Sequence, residues 1–244
     1  MSSARRALVL PFLLAPAAFA QTARPDAFAR ATDAANGDQY GFSIALDGSR
    51  AAIGVVGDDG PFGSDFGSVR VVERQTDGSW TEVAKVTAFD WTALDQFGFS
   101  VALDGDTLLV GSPGDDDGGS ASGAAYVYER QPSGTWQFAA KLVAPDPALG
   151  DFFGRAVALS GNRAVVGSVL DDTLAGINSG SVYVYERDPL GNWTYWQHLV
   201  ASDTTDLDRF GSALAIDGDR LVVGAPYRAN SAGGAYVFDR STST

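Results

Sequence analysis

The sequence has no cysteine, a single histidine, a single methionine, and only 17 basic residues against 30 acidic ones. Each shortage excludes something. Without thiols there is no disulfide framework and no cysteine nucleophile, so stability has to come from packing and sheet hydrogen bonds. The lone histidine, His198, leaves little room for triad chemistry, which needs a supported imidazole beside a nucleophile. A formal charge of −13 repels phosphate backbones and argues against a nucleic-acid partner. No apolar run is long enough to cross a bilayer, so no membrane insertion is expected.

The apolar stretch that does exist lies at the start, in MSSARRALVLPFLLAPAAFA. Arg5 and Arg6, an apolar run from Ala7 broken by Pro11 and Pro16, and the small-x-small triplet Ala18-Phe19-Ala20 read as a secretory signal peptide over residues 1–20. The mature chain would then begin at Gln21, and the expected location is secreted or cell-surface. Removing two arginines takes its formal charge to −15.

Repetition is what the sequence has in abundance. The pairs Tyr40-Gly41, Phe97-Gly98, Phe153-Gly154 and Phe210-Gly211 are 57, 56 and 57 residues apart, a spacing typical of stacked or radial repeats. After each pair comes a period-2 segment, with Phe97, Phe99, Val101 and Leu103 on one face and Gly98, Ser100 and Ala102 on the other. Asp47-Gly48, Asp104-Gly105, Ser160-Gly161 and Asp217-Gly218 then supply tight hairpin turns. A second strand, a variable Gly/Asp loop, a third strand (GSVYVYER in the third copy) and a fourth strand opened by Trp80, Trp136 or Trp193 complete the unit. The predicted fold is therefore all-β: four repeats of a four-stranded antiparallel sheet, arranged as the blades of a β-propeller, with repeats starting near 38, 95, 151 and 208. These form one domain over residues 21–244.

The F-G pair followed by V-G-[SA]-P resembles the FG-GAP repeat of the integrin alpha-subunit β-propeller and its bacterial secreted relatives, over roughly residues 26 to 240. The resemblance implies propeller blades and a role in adhesion or binding. Integrin-like propellers carry calcium in the hairpin between their first two strands, but LDGSR, LDGDT, LSGNR and IDGDR are too short and hold at most two acids, so calcium is not carried over and no cofactor is expected.

The fourth repeat ends without a Trp strand. Aspartates five residues apart (Asp33/Asp38, Asp90/Asp95, Asp146/Asp151, Asp203/Asp208) mark every junction, which puts Ala27-Phe28-Ala29-Arg30 at the end of a fourth-strand position. That piece is expected to pair with the last blade. Four blades stand at the low end for a closed ring, leaving a closed ring, an open arc, part of a longer array and half of a paired ring as the arrangements to separate.

Two acidic groups are candidates for function. Asp58 and Asp59, Asp115, Asp116 and Asp117, and Asp171 and Asp172 sit in the loops between second and third strands, at one end of the blades. They are the predicted ligand-binding residues, for a basic partner or a cation, set against the plainer reading that acidic loops keep the protein soluble. The junction aspartates are expected to build turns by accepting backbone N–H bonds. His198 aligns with Lys85 and Lys141, which suggests a solvated strand position, and Trp80, Trp136 and Trp193 are expected between blades. Asn192-Trp193-Thr194 matches a glycosylation sequon but sits in a turn position. The functional expectation is a non-enzymatic binding or adhesion scaffold that meets an extracellular protein or glycan through its loops. The alternatives are a calcium-dependent or hydrolase-like module and a structural segment of a larger surface protein.

Overall fold

The structure, a computed structural model, describes residues 31, 33–59, 65–174 and 176–240. The segment expected to be a signal peptide (residues 1–20) and Ala27-Phe28-Ala29-Arg30 lie outside the described residues. Three four-stranded antiparallel sheets and one three-stranded sheet follow each other along the chain. Sheet 1 is β1 (Tyr40–Asp47), β2 (Arg50–Val55), β3 (Ser68–Arg74) and β4 (Trp80–Val86); sheet 2 is β5 (Ser100–Asp104), β6 (Thr107–Ser112), β7 (Ala124–Arg130) and β8 (Trp136–Leu142). Sheet 3 is β9 (Phe153–Ser160), β10 (Arg163–Ser168), β11 (Ser181–Arg187) and β12 (Trp193–Leu199). Sheet 4 has β13 (Ala213–Asp217), β14 (Arg220–Ala225) and β15 (Gly234–Asp239), with a four-residue helical turn, α1 (Arg228–Ser231), in the loop before β15. Each sheet is a plain meander, so the predicted all-β repeat architecture holds, with the fourth sheet one strand short among the described residues.

The small and bulky faces read from the alternation explain how the sheets stack. Ala45, Ala52, Val69 and Val71 of sheet 1 lie against Val101, Leu103, Leu108 and Val110 of sheet 2. The same small-on-bulky contact recurs between sheets 2 and 3 and between sheets 3 and 4. Trp136 and Trp193 pack into the first and second of these layers. Each layer is anchored by a junction aromatic, Phe97, Phe153 or Phe210, all fully buried, and such a side chain contributes about 1.5–3 kcal/mol by leaving water.

Backbone geometry places those aromatics. The residue before each one is left-handed (Gln39, Gln96, Phe152 and Arg209, φ 53–58°), and so is the glycine after it (φ 88–92°). The chain therefore turns sharply on both sides of the ring and drives it between sheets. It follows that Phe99 departs from the face predicted for it. Past the left-handed Gly98 it packs at a tilt against Phe42 of the preceding sheet, with centroids 4.9 Å apart, and Arg155 of the following sheet lies over it.

The hairpin turns also differ in detail. Asp47 pairs with Arg50 across the ladder, so the two turn residues are Gly48 and Ser49, and only Gly48 has positive φ. The aspartate closes the strand, and its carboxylate reaches the next sheet: Asp47 accepts the Gly105 N–H at 2.8 Å and Asp104 accepts that of Gly161 at 2.5 Å. The Glu-Arg pairs ending the third strands likewise link neighbouring sheets, Arg130 to Glu73, Arg187 to Glu129 and Arg240 to Glu186. On the outer face of sheet 1 the β1 side is open, with Ile44 and Leu46 75% and 69% exposed, while Ile53, Arg70 and Val72 on the same face are buried.

Candidate functional site

All β2–β3-type loops and all junction loops lie at the same end of the sheets, because a meander returns there after every second strand. At each junction the second aspartate builds the turn. Asp38, Asp95, Asp151 and Asp208 accept the N–H of Ala35, Thr92, Ala148 and Thr205 respectively, at 2.6–2.8 Å. Burial pushes Asp151 up to about 6 against the pull of the Ala148 N–H, with the charges of Asp171, Asp172 and Asp146 adding to the rise.

In sheets 1 and 2 the first aspartate of the pair joins a loop aspartate around a cation. In sheet 2, Lys141 Nζ lies 2.8 Å from Asp90, 2.8 Å from Asp115 and 2.6 Å from Asp117. Tyr126 donates to the buried Asp115 at 2.6 Å, and its hydroxyl is 2.9 Å from Asp90. Burial works against the charge on Lys141, but the three carboxylates outweigh it and hold the ammonium above its ordinary pKa.

In sheet 1, Arg70 takes the place of that tyrosine. Its guanidinium, 2% exposed, meets Asp33 at 2.7 Å, Asp58 at 2.9 Å and Glu82 at 3.1 Å, while Lys85 lies 3.1 Å from Asp33 and 2.9 Å from Asp58. The Arg70 hydrogen bond holds Asp33 down at about 2. In sheet 3 the position of Lys85 and Lys141 belongs to His198, which stacks flat on Tyr183 at 4.5 Å with Nε2 3.7 Å from Asp171. The strand position is thus half-buried and faces a carboxylate, not the solvated one expected. Burial raises the Asp171 carboxyl, but His198 and the hydroxyls of Ser181 and Tyr183 bring it below its usual range. In sheet 4, Asp203 holds Arg228 and the Tyr236 hydroxyl.

These contacts sort the seven predicted residues. Asp58, Asp115 and Asp171 are buried and bonded within their own sheets. Asp117 faces solvent but spends its carboxylate on Lys141. Asp59 and Asp172 accept the backbone N–H of Asp65 and Asn178, which closes their loops, and Asp116 is exposed. The loops do not pool their acids: among the described residues the one carboxylate trio close enough for a metal is Asp90, Asp115 and Asp117, and Lys141 sits in it.

Apolar side chains at this end went unnoticed in the sequence reading. Phe89, Trp91, Leu94, Leu149, Ile177 and Leu207 are all exposed here. Trp91 leans on Phe66 at 4.3 Å, and with Lys85 and Asp59 they line a cleft of about 190 Å³. Leu94 and Leu207 have φ of 74° and 66°, at the position that Gly37 and Gly150 fill in the other two junctions. A left-handed non-glycine residue costs roughly 1–2 kcal/mol, so two exposed leucines stand in strained backbone where glycine would sit freely. The signal was present in the alignment of the four junctions, as Leu against Gly.

No curated protein matches the chain significantly. The family model for the FG-GAP repeat matches residues 27–72, 80–128, 136–185 and 193–238. Its last three matches open at Trp80, Trp136 and Trp193, 17 residues before Phe97, Phe153 and Phe210, and the first opens at Ala27, 13 residues before Tyr40. With four matches that together cover most of the sequence, the last three each running from the fourth strand of one sheet into the third strand of the next, the chain belongs to the FG-GAP repeat family.

Proposed function

We propose that this protein is a non-catalytic binding scaffold that works outside the cytoplasm and meets a protein partner through the junction end of its sheets. The observation that carries the reading is the pair of exposed leucines, Leu94 and Leu207, 60% and 54% exposed in left-handed backbone. Strain kept at an exposed apolar side chain makes sense where that side chain has a task. Exposed apolar side chains at one end of the sheets, set among acids, are the composition of a docking surface for an apolar patch flanked by lysine and arginine. The cationic partners already built into the carboxylate clusters of sheets 1, 2 and 4, and membership of a generally non-catalytic family, favour binding over hydrolysis. The leader-like composition of residues 1–20 and the charge of −13 favour an extracellular, non-nucleic-acid partner.

A phage-displayed peptide library panned on the full chain, with a glycan array in parallel, tests this. Peptides combining apolar and basic residues should enrich, and the double variant Leu94→Gly/Leu207→Gly should lose them while melting no lower than the parent. Enriched peptides that bind the double variant equally well, or capture of glycans alone, would refute the proposal.

A further inference from the structure

The three internal sheet junctions share one geometry. A Cβ on Gly54, Gly111 or Gly167 would come within 2.1, 1.9 or 2.2 Å of the carbonyl oxygen of Gly98, Gly154 or Gly211 in the following sheet. Gly67, Gly123 and Gly180 approach the carbonyls of Phe97, Phe153 and Phe210 as closely, at 2.0, 2.0 and 2.2 Å. At the hairpin end, Arg50 and Arg163 donate to the carbonyls of Gly105 and Gly218 in the next sheet, at 2.7 and 2.8 Å. Each junction is a recess cut by glycine on one side and a Phe-Gly corner that fills it on the other.

Both halves of a fourth junction are present and unmade. On sheet 4, Gly224 and Gly233 hold the recess positions, yet the nearest atoms a Cβ would meet are Ala213 Cβ at 3.3 Å and Pro226 O at 3.4 Å, both in their own repeat. Val222 and Val237 are 36% and 61% exposed where their counterparts Val165 and Val184 in sheet 3 are buried at 0% and 4%. Asp217, the counterpart of Asp47 and Asp104, bonds nothing among the described residues, and Arg220 meets only Asp239 of its own sheet. On sheet 1, the corner glycine Gly41 has nothing within 4 Å, whereas Gly98 would meet Ser68 O at 2.5 Å. Arg74 has no ion-pair partner among the described residues, at the position where Arg130, Arg187 and Arg240 reach the preceding sheet's glutamate.

The two faces lie at opposite ends of one stack and, among the described residues, do not meet. We propose that a second copy of this chain docks there, sheet 4 of one copy on sheet 1 of the next. Gly224 then receives the Gly41 corner, Val222 and Val237 cover Ile44 and Leu46, Asp217 reaches the Gly48 N–H, and Asp239 meets Arg74. The contact is heterologous, so two copies using both faces close into a ring, here of eight sheets, within the range known for propellers.

Sedimentation velocity on the full chain at micromolar concentrations, with two blocked variants, decides this. The parent should sediment as a dimer, or as a longer head-to-tail series. Gly224→Val, which fills the recess, and Ile44→Lys, which charges the corner face, should each give monomer that still melts cooperatively, at the temperature of the parent diluted to monomer. Should Gly224→Val fail to fold, Val237→Lys on the same exposed face replaces it. Mixing the two variants leaves one intact face on each copy and should restore a dimer. A monomeric parent, an association that survives both substitutions, or a mixture that stays monomeric would overturn the proposal.

Discussion

Replacing Lys141 by methionine tests whether the cations in the carboxylate clusters hold the repeat together. Lys141 is 15% exposed and lies within 2.8 Å of three carboxylates, of which Asp115 is 4% exposed and Asp117 61%. Methionine keeps the length and the packing of the stem but strands the Asp115 charge. Removing one partner of a buried pair costs about 3–5 kcal/mol. Here the Tyr126 hydroxyl still bonds Asp115 and solvent reaches Asp117, so about 2–3 kcal/mol is expected. For a chain of this size that lowers the melting temperature by roughly 5–10 °C. The assay is a calorimetric melt of parent, Lys141→Met, Asp115→Asn and the double variant. Because the amide of Asn still accepts from Tyr126 and carries no charge, Asp115→Asn should return more than half of the loss when added to Lys141→Met. A Lys141→Met protein that melts within a degree of the parent would show that the carboxylates do not need the ammonium. Failure of Asp115→Asn to compensate would put the damage in lost packing and refute the electrostatic account.

Two further outcomes follow from the same geometry. Asp151, raised from 3.8 to about 6 first of all by burial, keeps its proton in the folded chain at pH values where the unfolded chain has released it. Stability should fall as pH rises from about 4 through about 6, by up to about 3 kcal/mol, and Asp151→Asn, which still accepts the Ala148 N–H, should flatten that slope and gain about 1–2 kcal/mol near pH 8; urea titrations across this range check it, and a parent slope retained in the variant would contradict it. Gly111→Ala places a methyl 1.9 Å from the Gly154 carbonyl oxygen and should cost about 2–4 kcal/mol by forcing two sheets apart, whereas Gly224→Ala, with its nearest neighbour at 3.3 Å, should be within about 0.5 kcal/mol of the parent when melted as a dilute monomer; equal costs at the two sites would mean that close approach is not what the glycine serves.

The repeat was legible because every level of the sequence repeats together: aromatic-glycine corner, small and bulky faces, hairpin glycine, Trp-led strand. The junction aspartates were legible as turn builders for the same reason, since a short polar side chain at fixed spacing bonds its own backbone. The candidate acids were a different matter. Asp115 and Asp116 are neighbours with opposite fates, one buried against Tyr126 and Lys141 and the other exposed, because a loop's curvature decides which carboxylate turns inward. His198 was placed in register with the lysines, yet that the register faces a carboxylate is a property of the neighbouring loop, folded back from some 27 residues earlier.

By itself the sequence determined a chain of like sheets, each with a small face and a bulky one, because period-2 alternation and recurrent turns are local properties of the backbone. Only the tertiary structure decided which charges are already neutralised, which leucines stand out in left-handed backbone, and that the outer faces of the first and last sheets keep Ile44, Leu46, Val222 and Val237 exposed. Those depend on distances between residues far apart in the chain, and such distances are set by how sheets pack, not by the order in which residues are spelled.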